Sequence, residues 1–252
     1  MLIQKSQVIG LNPNSKLLKA YKDSLISLDA IQLEVAIGLM LGDASLQGQK
    51  NGKTFRLKFE WSDKNKAYVD HVYAIFDLWV LSNPHKKVRK SPAGNTVVNW
   101  GFQTISHVAF IPLADLFFLS AIELPGKQEL LNKESLKINS TDLLRGPKKS
   151  IAKDLIKNFL TPRGLSYWFM DDGGKLDYNK NSKNKSIVLN THSFTDIEVS
   201  NMCKDLSEKF NLLCEVRSNK GKKIIVIHSS SYGKFRKLVD PYLLPEMIYK
   251  LP

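Results

Sequence analysis

Two short stretches govern how this chain reads: AIGLMLGDA at residues 36–44 and LSYWFMDDG at residues 165–173. Each is an apolar run that delivers a carboxylate, Asp43 or Asp172, at its C-terminal tip. Val35 to Leu41 and Leu165 to Met170 are apolar almost all round, and a helix of that kind is buried. Two equivalent ones in a single chain are expected to bury each other, with Gly38 and Gly42 letting the backbones approach closely. The aspartates then stand at the negative ends of two helix dipoles, which disfavour an anion by about 0.3–1 kcal/mol. Two such carboxylates repel unless a cation sits between them. Their oxygens, completed by backbone carbonyls and water, suit Mg²⁺.

Outward from each motif the pattern repeats. After the first, Ser45 to Gln49 turns through Lys50-Asn51-Gly52 into Thr54 to Trp61, where Phe55, Leu57 and Phe59 alternate with Arg56, Lys58 and Glu60. A period of two means a sheet with one apolar and one charged face. A helix is predicted over 66–81. A second hairpin, 86–90 with 97–104, turns at Pro92-Ala93-Gly94-Asn95, and another apolar helix covers 109–119.

After the second motif come strands at 175–178 and 186–191, then a helix over 195–210 opened by a Thr195/Glu198 capping box. A hairpin of 214–218 and 223–228 follows, and a helix starts near Ser230. The order helix, hairpin, helix, hairpin, helix thus occurs twice, the mark of internal duplication. The expected class is α+β, with pseudo-twofold-related halves at residues 31–120 and 148–252 whose antiparallel sheets make one concave basic surface. Residues 1–30 read as an N-terminal extension with a short helix over 16–28. Residues 121–147 read as an exposed linker carrying an insertion, with a short helix over 129–137.

The 252 residues carry 37 Lys and Arg against 24 Asp and Glu, a formal charge of +13. Such an excess points first to nucleic acid and second to an anionic membrane. The basic residues concentrate on or beside the hairpins: Lys50, Lys53, Arg56, Lys58, Lys86, Lys87, Arg89 and Lys90 in the first half, and Lys175, Lys180, Lys183, Arg217, Lys222 and Lys223 in the second. Interleaved Gln47, Asn95, Asn99, Asn179, Asn190, Thr191 and His192 are able to read base edges in a major groove while the lysines hold phosphates. Asp177 and Tyr178 lie in the same stretch and join the candidate interface. One carboxylate per strand of a duplex gives a double-strand break from one polypeptide.

Other classes are excluded. Cys203 and Cys214 have no metal-ligand spacing and are expected to be reduced thiols. The five histidines are scattered, and no Walker loop or GxGxxG turn occurs. The N-terminus lacks an apolar core of signal-peptide length. The longest apolar patch, 108–124, is broken by Pro112, Asp115 and Glu123, so a soluble protein is expected.

Residues 36–44 and 165–173 resemble the two signature motifs of LAGLIDADG homing endonucleases. The similarity runs through LNPNSKLLKAYK, FEW, LSNPHKK, LTPRGLSYWFMDDGGKLDYNKNSKNKSIVLNT and the terminal PEMIYKLP, and is strongest to double-motif monomers encoded in mitochondrial introns. The resemblance implies two αββαββα halves forming a saddle on DNA. It also implies hydrolysis of both strands of a long recognition site with 3′ overhangs, and two or three Mg²⁺ ions shared between Asp43 and Asp172. It implies a mitochondrial address and a monomer that needs no obligate protein partner and no membrane.

The resemblance further assigns Lys149 and Lys250 as a pair of active-site lysines, one per half, that position water or stabilise the scissile phosphate. Asp171 matches a neighbouring acid, and Gln103 a secondary partner. The chain departs from the family pattern at Ala44, where the motif ends in glycine, and at Met170-Asp171. An intron RNA maturase, or a non-cleaving nucleic-acid-binding protein of the same fold, is the competing reading.

Overall fold

The duplicated order is present. In a computed structural model describing residues 3–49, 52–118, 149–179 and 181–252, the first half runs α1 (Lys16–Ser24), α2 (Ala30–Leu41), β1 (Ser45–Gln49), β2 (Thr54–Ser62), α3 (Lys66–Ile75), β3 (His85–Lys90), β4 (Thr96–Gln103) and α4 (Ile111–Phe118). The second runs α5 (Leu155–Phe159), α6 (Pro162–Asp172), β5 (Gly173–Lys175), β6 (Ile187–Asn190), α7 (Asp196–Phe210), β7 (Cys214–Asn219), β8 (Lys222–Ile227) and α8 (Tyr232–Val239). Each half carries a four-stranded antiparallel sheet, ordered β1-β2-β4-β3 in one and β5-β6-β8-β7 in the other. The helix expected over 129–137 falls outside the described residues.

The chain divides into two compact units, Met1–Leu33 with Asp43–Pro112, and Glu34–Gly42 with Leu113–Pro252. In the first unit, β2 explains the two-faced sheet. Leu57, Phe59 and Trp61 are buried while Arg56, Lys58 and Glu60 remain half-exposed. Phe59 sits among Trp61, Phe76 and Phe102, with ring centroids 5.8, 5.4 and 4.7 Å away. Such aromatic pairs add about 0.5–1.5 kcal/mol each beyond the area they bury.

Asp29 and Gln32 start α2 reciprocally. The Gln32 N–H donates to Asp29 Oδ1 at 2.7 Å and the Asp29 N–H to Gln32 Oε1 at 3.2 Å, as in a capping box. Val8, Leu18 and Tyr21 from the N-terminal residues form a small core of their own in this unit.

Two predicted helices are shorter than expected. The one over 16–28 ends at Ser24, whose hydroxyl donates to the Tyr21 carbonyl at 2.6 Å while Leu25 turns extended. The one over 66–81 ends at Ile75 and gives way to a 3-10 turn, Asp77–Trp79. The turn drives Trp79 into the core, where its indole N–H donates to Gln32 Oε1 at 3.0 Å, and leaves Leu78 exposed.

In the second unit, Thr161 caps α6 by accepting from the Gly164 N–H at 3.2 Å, with Pro162 in the first turn. Gly164 to Met170 are then buried without interruption. The Thr195/Glu198 capping box opens α7 as predicted. The strand expected at 175–178 is instead Gly173–Lys175. The register continues for one more bond, from the Leu176 N–H to the Ser186 carbonyl at 3.0 Å, and ends where Asp177 turns the chain by accepting from the Asn179 N–H at 3.0 Å.

Candidate active site and nucleic-acid interface

The two motif helices end differently. The Gly42 N–H donates to the carbonyls of Gly38 and Leu39 at 3.2 and 3.1 Å, so α2 closes at Leu41 and Asp43 lies just past it, exposed. Asp172 is the last residue of α6 and is half-buried. Inside the second unit, residues 34–42 and α6 make the close backbone approach expected from the glycines. A Cβ at Gly38 would overlap the Gly164 carbonyl, and one at Gly42 would lie 2.5 Å from Asp171 Cβ. Gly164, which the sequence reading did not single out, is the reciprocal position: its own Cβ would lie 3.0 Å from the Glu34 carbonyl oxygen. Arg163 fastens the crossing through an ion pair to Glu34 at 2.9 Å.

Each family-type lysine caps a motif end. Lys149 Nζ donates to the Gly42 carbonyl at 2.7 Å, and Lys250 Nζ donates to the carbonyls of Met170 and, at 2.7 Å, Asp171. The Gly42 and Asp171 carbonyls directly precede Asp43 and Asp172. An ammonium there meets the unsatisfied C=O groups and negative pole of a helix terminus. The chain holds Lys149 in place because the Ser150 and Ala152 N–H groups take the Phe117 and Leu116 carbonyls of α4, both at 2.9 Å. Lys250 ends a 3-10 turn, Pro245–Lys250, pinned by buried Met247 and Leu251.

In the first unit, Asp43 shares a pocket of about 280 Å³ with Ser45, Lys58, Glu60, His85, Lys87 and Gln103. These residues lie on the sheet face opposite the aromatic core, so Asp43 and the charged face share one side of that sheet. Glu60 is the centre of a network: Lys87 Nζ at 2.7 Å, Asn99 Nδ2 at 2.8 Å and the Arg89 guanidinium all bond its carboxylate. Partial burial opposes its ionisation, but the hydrogen bonds from Lys87 and Asn99 and the charges of Lys87 and Arg89 prevail and hold its pKa below the usual carboxylate value.

The model of the LAGLIDADG DNA endonuclease family matches residues 33–138 and 134–235. This chain belongs to that family. A probable intron-encoded endonuclease 1 of Wickerhamomyces canadensis is 44% identical over 99% of this chain and 96% of that protein. The structure of the homing endonuclease I-WcaI bound to its DNA recognition sequence is 43% identical, covers 99% of this chain and 98% of its own, and superposes with a TM-score of 0.83. A cytochrome b mRNA maturase bI2 of Saccharomyces cerevisiae is 27% identical over 97% of this chain and 52% of that protein.

The LAGLIDADG sheets place the remaining candidates unequally. On the first, Arg56 donates to Gln47 Oε1 from Nε at 3.0 Å and Nη2 at 2.7 Å. Lys53 and the turn residue Asn95 are exposed. Strand alternation puts Lys86 and Lys90 on the face opposite Lys87 and Arg89. Lys86 pairs there with Asp63 at 3.9 Å, and Lys90 donates to Thr96 Oγ1 at 2.8 Å. Both are set apart from the Asp43 side.

On the second sheet, the face expected to be basic carries an apolar cluster, Val188, Ile224 and Val226, covered by Leu176. Strand alternation puts Arg217 and Lys222 on the face of this cluster and Lys175 and Lys223 on the other. Arg217 pairs with Glu215, and exposed Lys222 and half-buried Lys223 lie at the start of β8. Lys223 Nζ donates to Ser218 Oγ at 3.2 Å. Lys175 lies 5.9 Å from the centre of the exposed Tyr178 ring.

Asn179, Lys183 and His192 are exposed, whereas Asp177 is tied into its own turn, where hydrogen bonds from Ser182 and the Asn179 backbone hold its pKa low. Thr191 does not present its hydroxyl outward: it is buried and donates to the Lys223 carbonyl at 2.7 Å. Asn190 is likewise engaged, its amide donating to the Asp172 carbonyl at 2.9 Å. Lys50 and Lys180 fall outside the described residues.

Cys203 and Cys214 are free thiols, and burial pushes Cys203 up to about 12. Among the described residues no three His, Cys, Asp or Glu side chains gather into a metal-binding group. Asp43 in the first unit and Asp172 in the second each offer carboxylate oxygens, the hard donors that a divalent cation completing its shell with water and phosphate takes.

Proposed function

We propose that this LAGLIDADG endonuclease acts as a monomer on a long double-stranded DNA target and cuts both strands at one site, leaving 3′ overhangs. The observation that carries the reading is the matched pair of motif ends, each an aspartate preceded by a carbonyl that accepts from a lysine. Asp43 and Asp172 would hold Mg²⁺, two or three ions in all, which lowers the pKa of bound water and offsets phosphate charge. Lys149 and Lys250 place a fixed positive charge beside each aspartate, where it favours the charge that grows on a phosphate during cleavage. Lys58, Arg56 and Gln47 on the first sheet, with Arg217 and Lys222 on the second, hold phosphates and meet base edges. No helix among the described residues is long and apolar enough to cross a membrane.

The chain is read as an extension (1–30), two family halves (31–120 and 148–252) and a connector (121–147). The names of the relatives support an intron-encoded protein, and with the sequence resemblance a mitochondrial one. Asp43→Asn and Asp172→Asn should each keep binding in a gel shift yet stop linearisation of a target plasmid in Mg²⁺. Cleavage that survives both changes refutes the site. A second reading, an intron RNA maturase, is favoured by the likeness to cytochrome b mRNA maturases. Tighter binding of host intron RNA than of duplex DNA selects it.

A further inference from the structure

We infer that Glu60 is a specificity-determining positioning residue, an acid on the DNA-facing sheet that keeps Lys87, Arg89 and Asn99 aimed at base edges instead of phosphates. The inference rests on the reading that this face meets DNA. A carboxylate facing a polyanion weakens binding unless its partners gain something in return, and here it is bound by three donors at once. Lys87 and Asn99 face each other across β3 and β4, and Glu60 is two residues before Ser62, their neighbour on β2. The carboxylate therefore reaches across three adjacent strands.

Lys87 is also laid down on the sheet. A Cβ at Gly101 would meet the Phe59 carbonyl oxygen at 2.7 Å and Lys87 Nζ at 3.3 Å, so the glycine leaves room for both the neighbouring strand and the lysine. Two long cations and an amide are fixed in one arrangement before DNA arrives, which removes ordering cost from the encounter. Lysine, arginine and asparagine are also the side chains that pair with guanine and adenine edges in the major groove.

Among the described residues the second half has no carboxylate at the matching position. Ser45 pairs with Lys58 as Gly174 pairs with Val188, each two residues beyond its motif aspartate, so Glu60 corresponds to Asn190. Asn190 spends its amide on the Asp172 carbonyl. Among the described residues the three-donor arrangement occurs in the first half, whereas Glu215 of the second sheet pairs with Arg217, so the effect of Glu60 falls on one half-site.

The test compares Glu60→Ala and Glu60→Gln with the wild-type chain on the cognate duplex and a panel of single-base-pair substitutions, at several salt concentrations. Released from the acid, Lys87 and Arg89 should swing to phosphates. Discrimination by Glu60→Ala then falls about tenfold at base pairs of one half-site only. Its salt dependence steepens by about 0.9 per phosphate gained. Glu60→Gln, which retains an acceptor without the charge, should fall between the two. A uniform loss of affinity over all targets, an unchanged specificity profile, or a loss spread over both half-sites overturns the inference. Failure of the wild-type chain itself to select any duplex sequence overturns the underlying reading instead.

Discussion

Lys250 Nζ lies 2.7 Å from the carbonyl oxygen of Asp171, the residue before Asp172, and Lys149 repeats the relationship at Gly42, the residue before Asp43. A lysine that merely capped a helix end would contribute stability, worth about 0.3–1 kcal/mol. A lysine held for catalysis would contribute rate.

The two roles separate on substitution. Lys149→Met and Lys250→Met should each slow single-turnover cleavage about a hundredfold, the scale for losing one fixed electrostatic donor, while Kd for the target changes by a few-fold. The accompanying change in Tm should be small. A large drop in Tm with the cleavage rate of the remaining folded protein unchanged would instead leave both lysines as caps.

The glycines at the motif crossing yield an opposed pair of expectations. Gly38→Ala drives a Cβ into the Gly164 carbonyl, backbone that cannot rotate aside, and should destabilise by about 1–3 kcal/mol or more. Gly233→Ala in α8 meets nothing within 4 Å and should stabilise by about 0.5–1 kcal/mol through lost freedom of the unfolded chain. Urea unfolding of both variants checks the pair. A tolerated Gly38→Ala would mean the helices do not cross at this point.

The duplicated order was legible because hydrophobic periodicity records it directly. Phe55, Leu57 and Phe59 alternate, residues 36–41 do not, and the difference between sheet and buried helix follows. Periodicity does not record which groups spend their hydrogen bonds on one another. Thr191 and Asn190 look like base readers in a list of polar residues, yet buried Thr191 donates to the Lys223 carbonyl and half-buried Asn190 donates to the Asp172 carbonyl.

Lys86 and Lys87 look equivalent until a strand puts them on opposite faces. Val188, Ile224 and Val226 read simply as strand residues, because their apolar cover, Leu176, belongs to a loop. Lys149 and Lys250 carry no local signal. Both depend on a distant carbonyl, and the family resemblance was the means of finding them.

His107 supplies a pH expectation. Its Nε2 bonds the Lys22 carbonyl at 3.0 Å and its Nδ1 accepts from the Ala109 N–H at 3.0 Å, an arrangement only the neutral ring can make. Burial lowers its pKa from 6.5, ahead of the opposing pull of the Lys22 carbonyl. The unfolded chain therefore takes up this proton first. The contribution of His107 is complete above about pH 6.5 and is lost as pH falls from there toward the folded value. Thermal melts at pH 5 and 8 should differ for the wild-type chain and differ less for His107→Gln. An equal pH difference in both chains would assign the dependence to other groups.

Asn190 has a second candidate role beside the expected contact with DNA. Its amide holds the carbonyl of Asp172 at 2.9 Å, which would let it bear on the reaction through the end of α6. Asn190→Ala removes the donor and lets that end relax. Asn190→Asp sets an acceptor against an acceptor and adds a negative charge beside an existing carboxylate. Cleavage should fall in both, more steeply in Asn190→Asp, with affinity for the target nearly unchanged and no shift in which base pairs are preferred. A base reader would behave in the opposite way, losing discrimination at one position while cutting its best target at the normal rate. Cleavage rates on the same single-substitution duplex panel decide between them, and a specificity shift confined to one base pair would return Asn190 to the DNA contacts.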